Sequence, residues 1–115
     1  MPQKILSDEQ KESIERLQQN VGVGQFYAVF YDDSAYFGRA EEISQDHVKV
    51  KFLHKSAAVH RNATVQLFDW PKKADIQDIP KKYIFAGPIE LVGNLPFQIP
   101  NLDIILNVYK LLKKN

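Results

Sequence analysis

The side chains able to do covalent chemistry are few and badly spaced for it. The chain has no cysteine, so it offers no thiolate nucleophile, no disulfide and no thiolate zinc site. Its three histidines, His47, His54 and His60, do not fall in HExxH or any comparable ligand spacing. Asp32-Asp33 is a pair of carboxylates, but adjacent aspartates in a turn serve the backbone first. No serine sits in a nucleophile elbow, and no glycine-rich loop leads into a helix. These absences predict a protein that is not an enzyme and that carries no cofactor and no metal.

Aromatic residues are the more informative set. Thirteen of them in a chain of 115 residues exceed what one small core needs. Tyr31 is expected to end one strand, Tyr36 to begin the next across a short turn, and Phe52 to end the third. Three rings from neighbouring strands would then meet at one rim, beside Asp32 and Asp33. Aromatic faces with nearby carboxylates suit a cation, above all a methylated ammonium or guanidinium, which is weakly hydrated and attracted by the ring quadrupoles. Tyr27, Phe37 and Trp70 are expected to cover ends of the fold and helix contacts.

The elements that must position these rings can be read from periodicity. Ser7 with Gln10 three residues on forms a capping box, and Asp8 and Glu9 complement the helix dipole. Ile14, Leu17 and Val21 then mark one thin apolar stripe, and Gly22 and Gly24 end the helix. Residues 25–31 (QFYAVFY) read as a strand with apolar side chains on both faces. Residues 36–43 follow as a second strand, with Gly38 a bulge or a point of close approach. Residues 47–53 alternate Val48, Val50, Phe52 against Lys49 and Lys51, the pattern of a half-buried strand. A polar loop and a fourth strand at 64–70 come next, ended by Pro71. Residues 72–78 read as an exposed connector, residues 79–82 as a tight helical turn, and Tyr83-Ile84-Phe85 as a fifth strand broken by Gly87-Pro88. Phe26, Ala28, Phe30, Val48 and Val50 are the expected core. Residues 88–100 are punctuated by proline and read as extended, and a final helix from Leu102 carries a broad apolar face.

Five short strands in so short a chain predict a small, mainly β, strongly bent barrel with flanking N- and C-terminal helices. The expected division is an N-terminal helix at 1–22, the barrel at 23–87, and an arm with a helix at 88–115. That last helix would pack on the barrel, on the first helix, or on a second copy of the chain as a homodimer. Composition is that of a soluble globular protein, with 25% charged residues and a net charge of +1. No apolar run is long enough to span a membrane, and the N-terminus has no signal-peptide core, so an intracellular location is expected. The sequon at Asn62 is discounted on that ground.

The stretch Ala28-Val29-Phe30-Tyr31-Asp32-Asp33, then Tyr36-Phe37-Gly38-Arg39-Ala40, then Val48-Lys49-Val50-Lys51-Phe52 resembles a Tudor domain. Tudor domains are five-stranded SH3-like barrels, and many read methylated lysine or arginine through an aromatic cage. The resemblance covers about the middle half of the chain. It places Tyr31, Tyr36 and Phe52 on cage positions. Where the family often has a fourth aromatic this chain has His54-Lys55-Ser56, which leaves a partial cage or one completed by Trp70. The resemblance implies a binding module in a chromatin- or RNA-associated assembly, a nuclear rather than cytoplasmic location, and a peptide partner such as a methylated histone tail. AVFYDD and Pro80-Lys81-Lys82-Tyr83-Ile84 are similar to the opening and closing motifs of Src-type SH3 domains, but the long acidic loop and tryptophan pair of that group are missing.

Two other function classes stand beside it. Lys49, Lys51, Lys55, Arg61, Lys72 and Lys73 could form a basic surface for nucleic acid, since the acids concentrate in the first helix and the turns. The chain could also be a structural interaction domain of a larger protein, using its terminal helix.

Overall fold

The structure, a computed structural model, describes residues 6–56, 66–93 and 95–114. Helix α1 spans Asp8–Gln19 and begins with the capping box read from the sequence: the Gln10 amide donates to Ser7 Oγ at 3.1 Å, and the Ser7 amide donates to Gln10 Oε1 at 2.8 Å. The strands are β1 (Phe26–Tyr31), β2 (Ser34–Ile43), β3 (His47–Lys55), β4 (Leu67–Asp69), β5 (Ile76–Pro80), β6 (Ile84–Ile89) and β7 (Phe97–Gln98). A 3₁₀ turn at Lys81–Tyr83 joins β5 to β6, and α2 (Leu102–Lys114) closes the chain.

The protein is mainly β. All seven strands belong to one antiparallel sheet of order β6-β1-β2-β3-β4-β7, with β5 paired to the first half of β3. Among the described residues no ladder joins β5 to β6, so the sheet is open there and the closed five-stranded barrel expected from the sequence is not formed by strand pairing. At this opening α1 supplies a substitute: Gln18 Nε2 donates to the carbonyls of Lys82 and Ile84 at 3.0 and 2.9 Å.

Two strands were not expected. Residues 76–78 fall in the expected connector and 79–80 in the expected helical turn, yet all five pair with β3 and bury Ile79 beside Val48. One buried side chain in five gives almost no alternation to read, and the pairing is set by the long-range partner. Strand β7 lies in the proline-punctuated arm and pairs with β4. Strand β6 runs on through Gly87 and Pro88 instead of breaking there. The register slips against β1, and Gly87 takes φ +135°. The fourth strand was expected at 64–70; Thr64 and Val65 lie outside the described residues, and β4 occupies three positions.

Both faces of the sheet are buried, and they hold separate cores. Tyr27 and Val29 of β1 share one face with Ala40, Val48, Val50, Phe52, Ile79 and Ile84, under Leu17 and Val21 of the N-terminal segment. Ala28 shares the opposite face with Phe37, Leu53, Phe68 and Phe85, under β7 and α2, where Ile105 is buried. The sequence reading joined Phe26, Ala28 and Phe30 to Val48 and Val50 in a single core. The register Ala28↔Phe37↔Leu53 puts them on different faces. Gly38 is a point of close approach, as expected: a Cβ there would lie 2.5 Å from Val50 Cγ1 and 2.6 Å from the Lys51 carbonyl oxygen.

Candidate functional site

The β1–β2 hairpin turns on Asp32 and Asp33, both at positive φ (51° and 57°). Two consecutive left-handed residues make the tight turn whose twist suits an antiparallel pair, and aspartate tolerates that conformation better than most residues. The turn pairs Tyr31 with Ser34 and Val29 with Tyr36. Tyr31 and Tyr36 are therefore diagonal neighbours on one face. Both rings are open to solvent, at 50% and 41% exposure.

The third expected ring differs in role. Phe52 sits opposite Gly38 on the same face, and Tyr36 meets it edge-on at 6.0 Å and 71°. At 5% exposure Phe52 belongs to the hydrophobic core. It supports Tyr36 from below rather than forming an open wall. A ring not singled out from the sequence joins instead: Tyr83, from the 3₁₀ turn, packs on Tyr31 with centroids 5.8 Å apart, and Lys82 Nζ lies 5.8 Å from its centroid. The available signal was the Pro80-Lys81-Lys82 turn just before it, which brings Tyr83 back beside β1.

Trp70 does not complete this group. It packs on Phe26 at 6.1 Å, on the face that carries Arg39 and Lys51. Arg39 and Lys51 lie 5.1 and 4.7 Å from its ring centroid, so the indole already holds two cations of its own chain. Arg39 also makes two hydrogen bonds to Glu41, at 3.0 and 3.1 Å, and these hold the Glu41 carboxyl below the usual range. Glu41 is the extra residue where the β2–β3 register shifts between Ala40 and Glu42.

The basic candidates are dispersed. Lys49 pairs with Glu42 directly across the ladder at 3.2 Å, and Lys51 is taken up by Trp70. Lys55, Lys72 and Lys73 are exposed, the last two at a bend between β4 and β5. Arg61, like His60 and the sequon, lies outside the described residues. His54 pairs with Asp75 at 2.9 Å. Asp75 is held below the ordinary carboxylate value by the Gln77 amide first and by His54 second. Among the described residues there is no cluster of three metal-ligating side chains, and no helix is long and apolar enough to cross a membrane.

Helix α2 reaches the same hairpin. Tyr109 stacks on Phe30 at 5.6 Å and donates its hydroxyl to the Asp33 carbonyl. Periodicity marks Tyr109 as part of the apolar stripe; its hydrogen bond depends on a partner 76 positions away and is invisible locally.

The chain matches no protein-family profile, no curated protein and no solved structure.

Proposed function

We propose that this protein is a non-enzymatic, Tudor-like binding module that takes a cationic, methylated lysine or arginine side chain at the rim formed by Tyr31, Tyr36 and Tyr83. The observation that carries this reading is the pair of half-exposed rings on one face of the hairpin, joined by a turn bearing two carboxylates. A methylated ammonium loses little hydration on entering such a rim, and each ring contributes on the order of 1 kcal/mol at an exposed site. Asp32 and Asp33 add negative potential without a permanent counter-ion among the described residues. Phe52 is the floor, and Trp70 has no part.

The strand order supports the SH3-like element of the reading. Strands β1, β2, β3 and β5 follow in pairing order, a 3₁₀ turn comes next, and β6 returns to pair with β1. That succession is the one an SH3-like barrel would require, and among the described residues the ladder that would close it between β5 and β6 is absent. The partner is then a peptide of a chromatin- or RNA-associated assembly.

Titration of the full chain with a trimethyl-lysine peptide tests this reading. Binding should weaken about tenfold in Tyr36→Ala, should change little between 50 and 200 mM salt, and should be weaker for the unmethylated peptide. Duplex nucleic acid would give a steep salt slope instead. Equal affinity for methylated and unmethylated peptides would overturn the reading.

A further inference from the structure

A groove of about 660 Å³ lies beside Tyr36, between the hairpin end of β2, the end of β3, β4 and helix α2. Its floor is apolar, made by Phe37, Leu53, Phe68, Leu102 and Leu106. Its volume is in the range of small-molecule and cofactor sites. No carboxylate lines it, and Lys55 lies at its edge, exposed and without an ion pair among the described residues. The groove therefore has a charge opposite to that of the Asp32–Asp33 turn. Tyr36 lines the groove at the hairpin end, whereas the floor residues lie on the face of the sheet opposite Tyr31 and Phe52, so a peptide occupying both sites passes around the end of the hairpin.

The geometry points to a second subsite here, for the apolar side chains of the same bound peptide, followed by an acidic residue facing Lys55. This inference rests on the proposed function for its cation and extends it to sequence specificity. The ligand is a peptide in which a methylated basic residue is followed by one or two large aliphatic residues and then aspartate or glutamate. The aliphatic side chains would leave water for a floor built from two phenylalanines and three leucines, and the ammonium of Lys55 would meet the carboxylate. Specificity would come from the order of charges, acidic protein turn to basic ligand residue and basic protein residue to acidic ligand residue. The reversed order would put like charges together.

The test is a methyl and aromatic NMR titration of the full chain with two synthetic peptides. In one, trimethyl-lysine is followed by two leucines and a glutamate; in the other, glycines replace the leucines. The leucine peptide should bind about tenfold more tightly, and it alone should shift the methyl signals of Leu53, Leu102 and Leu106. Lys55→Glu, at an exposed position, should lower its affinity several-fold, while a leucine peptide carrying glutamine in place of the glutamate should bind the variant and the unmodified chain alike. Equal affinities, with shifts confined to the Tyr31 and Tyr36 rings, would overturn the groove and leave the cation rim standing. Shifts at the methyls from a leucine peptide lacking the methylated lysine, with the rings unmoved, would support the groove and overturn the rim. Silence at both would overturn both.

Discussion

Tyr109 on the last helix donates a hydrogen bond to the backbone carbonyl of Asp33, in the tightest turn of the sheet. Its ring also packs on Phe30, so a single side chain fastens the C-terminal helix to the hairpin that carries the exposed tyrosines. Tyr109→Phe keeps the stacking and loses the bond. It should cost about 1 kcal/mol in urea unfolding, because the bond is solvent-accessible and both partners regain water. Tyr109→Ala should cost more than Tyr109→Phe, because the stacking goes as well. Equal losses for the two variants would show that the ring does not pack as described.

Gly87 gives a sharper outcome. Its φ is +135°, and a Cβ there would lie 2.5 Å from Tyr27 Cδ1 and 2.9 Å from the Phe26 carbonyl oxygen. Tyr27 is the largest fully buried side chain and its hydroxyl accepts from the Gly22 amide at 2.8 Å, so it cannot swing aside without breaking that bond. Gly87→Ala combines backbone strain with overpacking and should cost about 2–4 kcal/mol. The midpoint of denaturant unfolding checks this, and a change below 0.5 kcal/mol, roughly the scale of a neutral surface substitution, would contradict it.

Much of this arrangement was legible in the sequence, and the failures have physical causes. The capping box at Ser7 and Gln10, the alternation of Val48, Val50 and Phe52, and the close approach at Gly38 are local signals, and each is present in the fold. The strand at residues 76–80 was missed because Ile79 alone of its side chains is buried and its partner lies about thirty residues upstream. The exposed positions of Tyr31 and Tyr36 follow from the turn between them. The burial of Phe52 does not, because it needs the register that sets Phe52 opposite Gly38. Whether Trp70 completes the cage stays open in the sequence for want of that same register, which puts the indole on the other face beside Arg39 and Lys51.

Trp70 is the chain's one tryptophan, which makes its separation from the rim measurable. Trp70→Leu should change the affinity for a trimethyl-lysine peptide less than twofold and should destabilise the fold by about 1–2 kcal/mol through lost packing and cation–π contact. Addition of the peptide to the unmodified chain should leave the tryptophan emission unchanged. A quenched or shifted emission on binding would place the indole in the site.

Acid should act through Asp75 and Glu41. Both carboxyls sit below their ordinary values in the folded chain, Asp75 through Gln77 and His54, and Glu41 through Arg39. A depressed folded value means that the unfolded chain takes up the proton first as pH falls. The stabilisation is therefore full above the unfolded carboxylate range, near pH 4, and is lost as pH drops through the lower folded values. Urea midpoints of the unmodified chain and of Asp75→Asn should differ at pH 6 and converge by pH 2. A gap that persists at pH 2 would show that the Asp75 carboxylate is not the source.

The central claim is that Tyr31 and Tyr36 hold a methylated cation over Phe52. Calorimetric titration of the unmodified chain, Tyr31→Ala and Tyr36→Ala with the same trimethyl-lysine peptide tests it most directly, with far-ultraviolet circular dichroism to check that each variant is folded. The account predicts measurable binding to the unmodified chain and at least a tenfold loss in each folded variant, the size expected when about 1.4 kcal/mol of ring contact is removed. Unchanged affinity in either folded variant, or no binding to the unmodified chain, would contradict it.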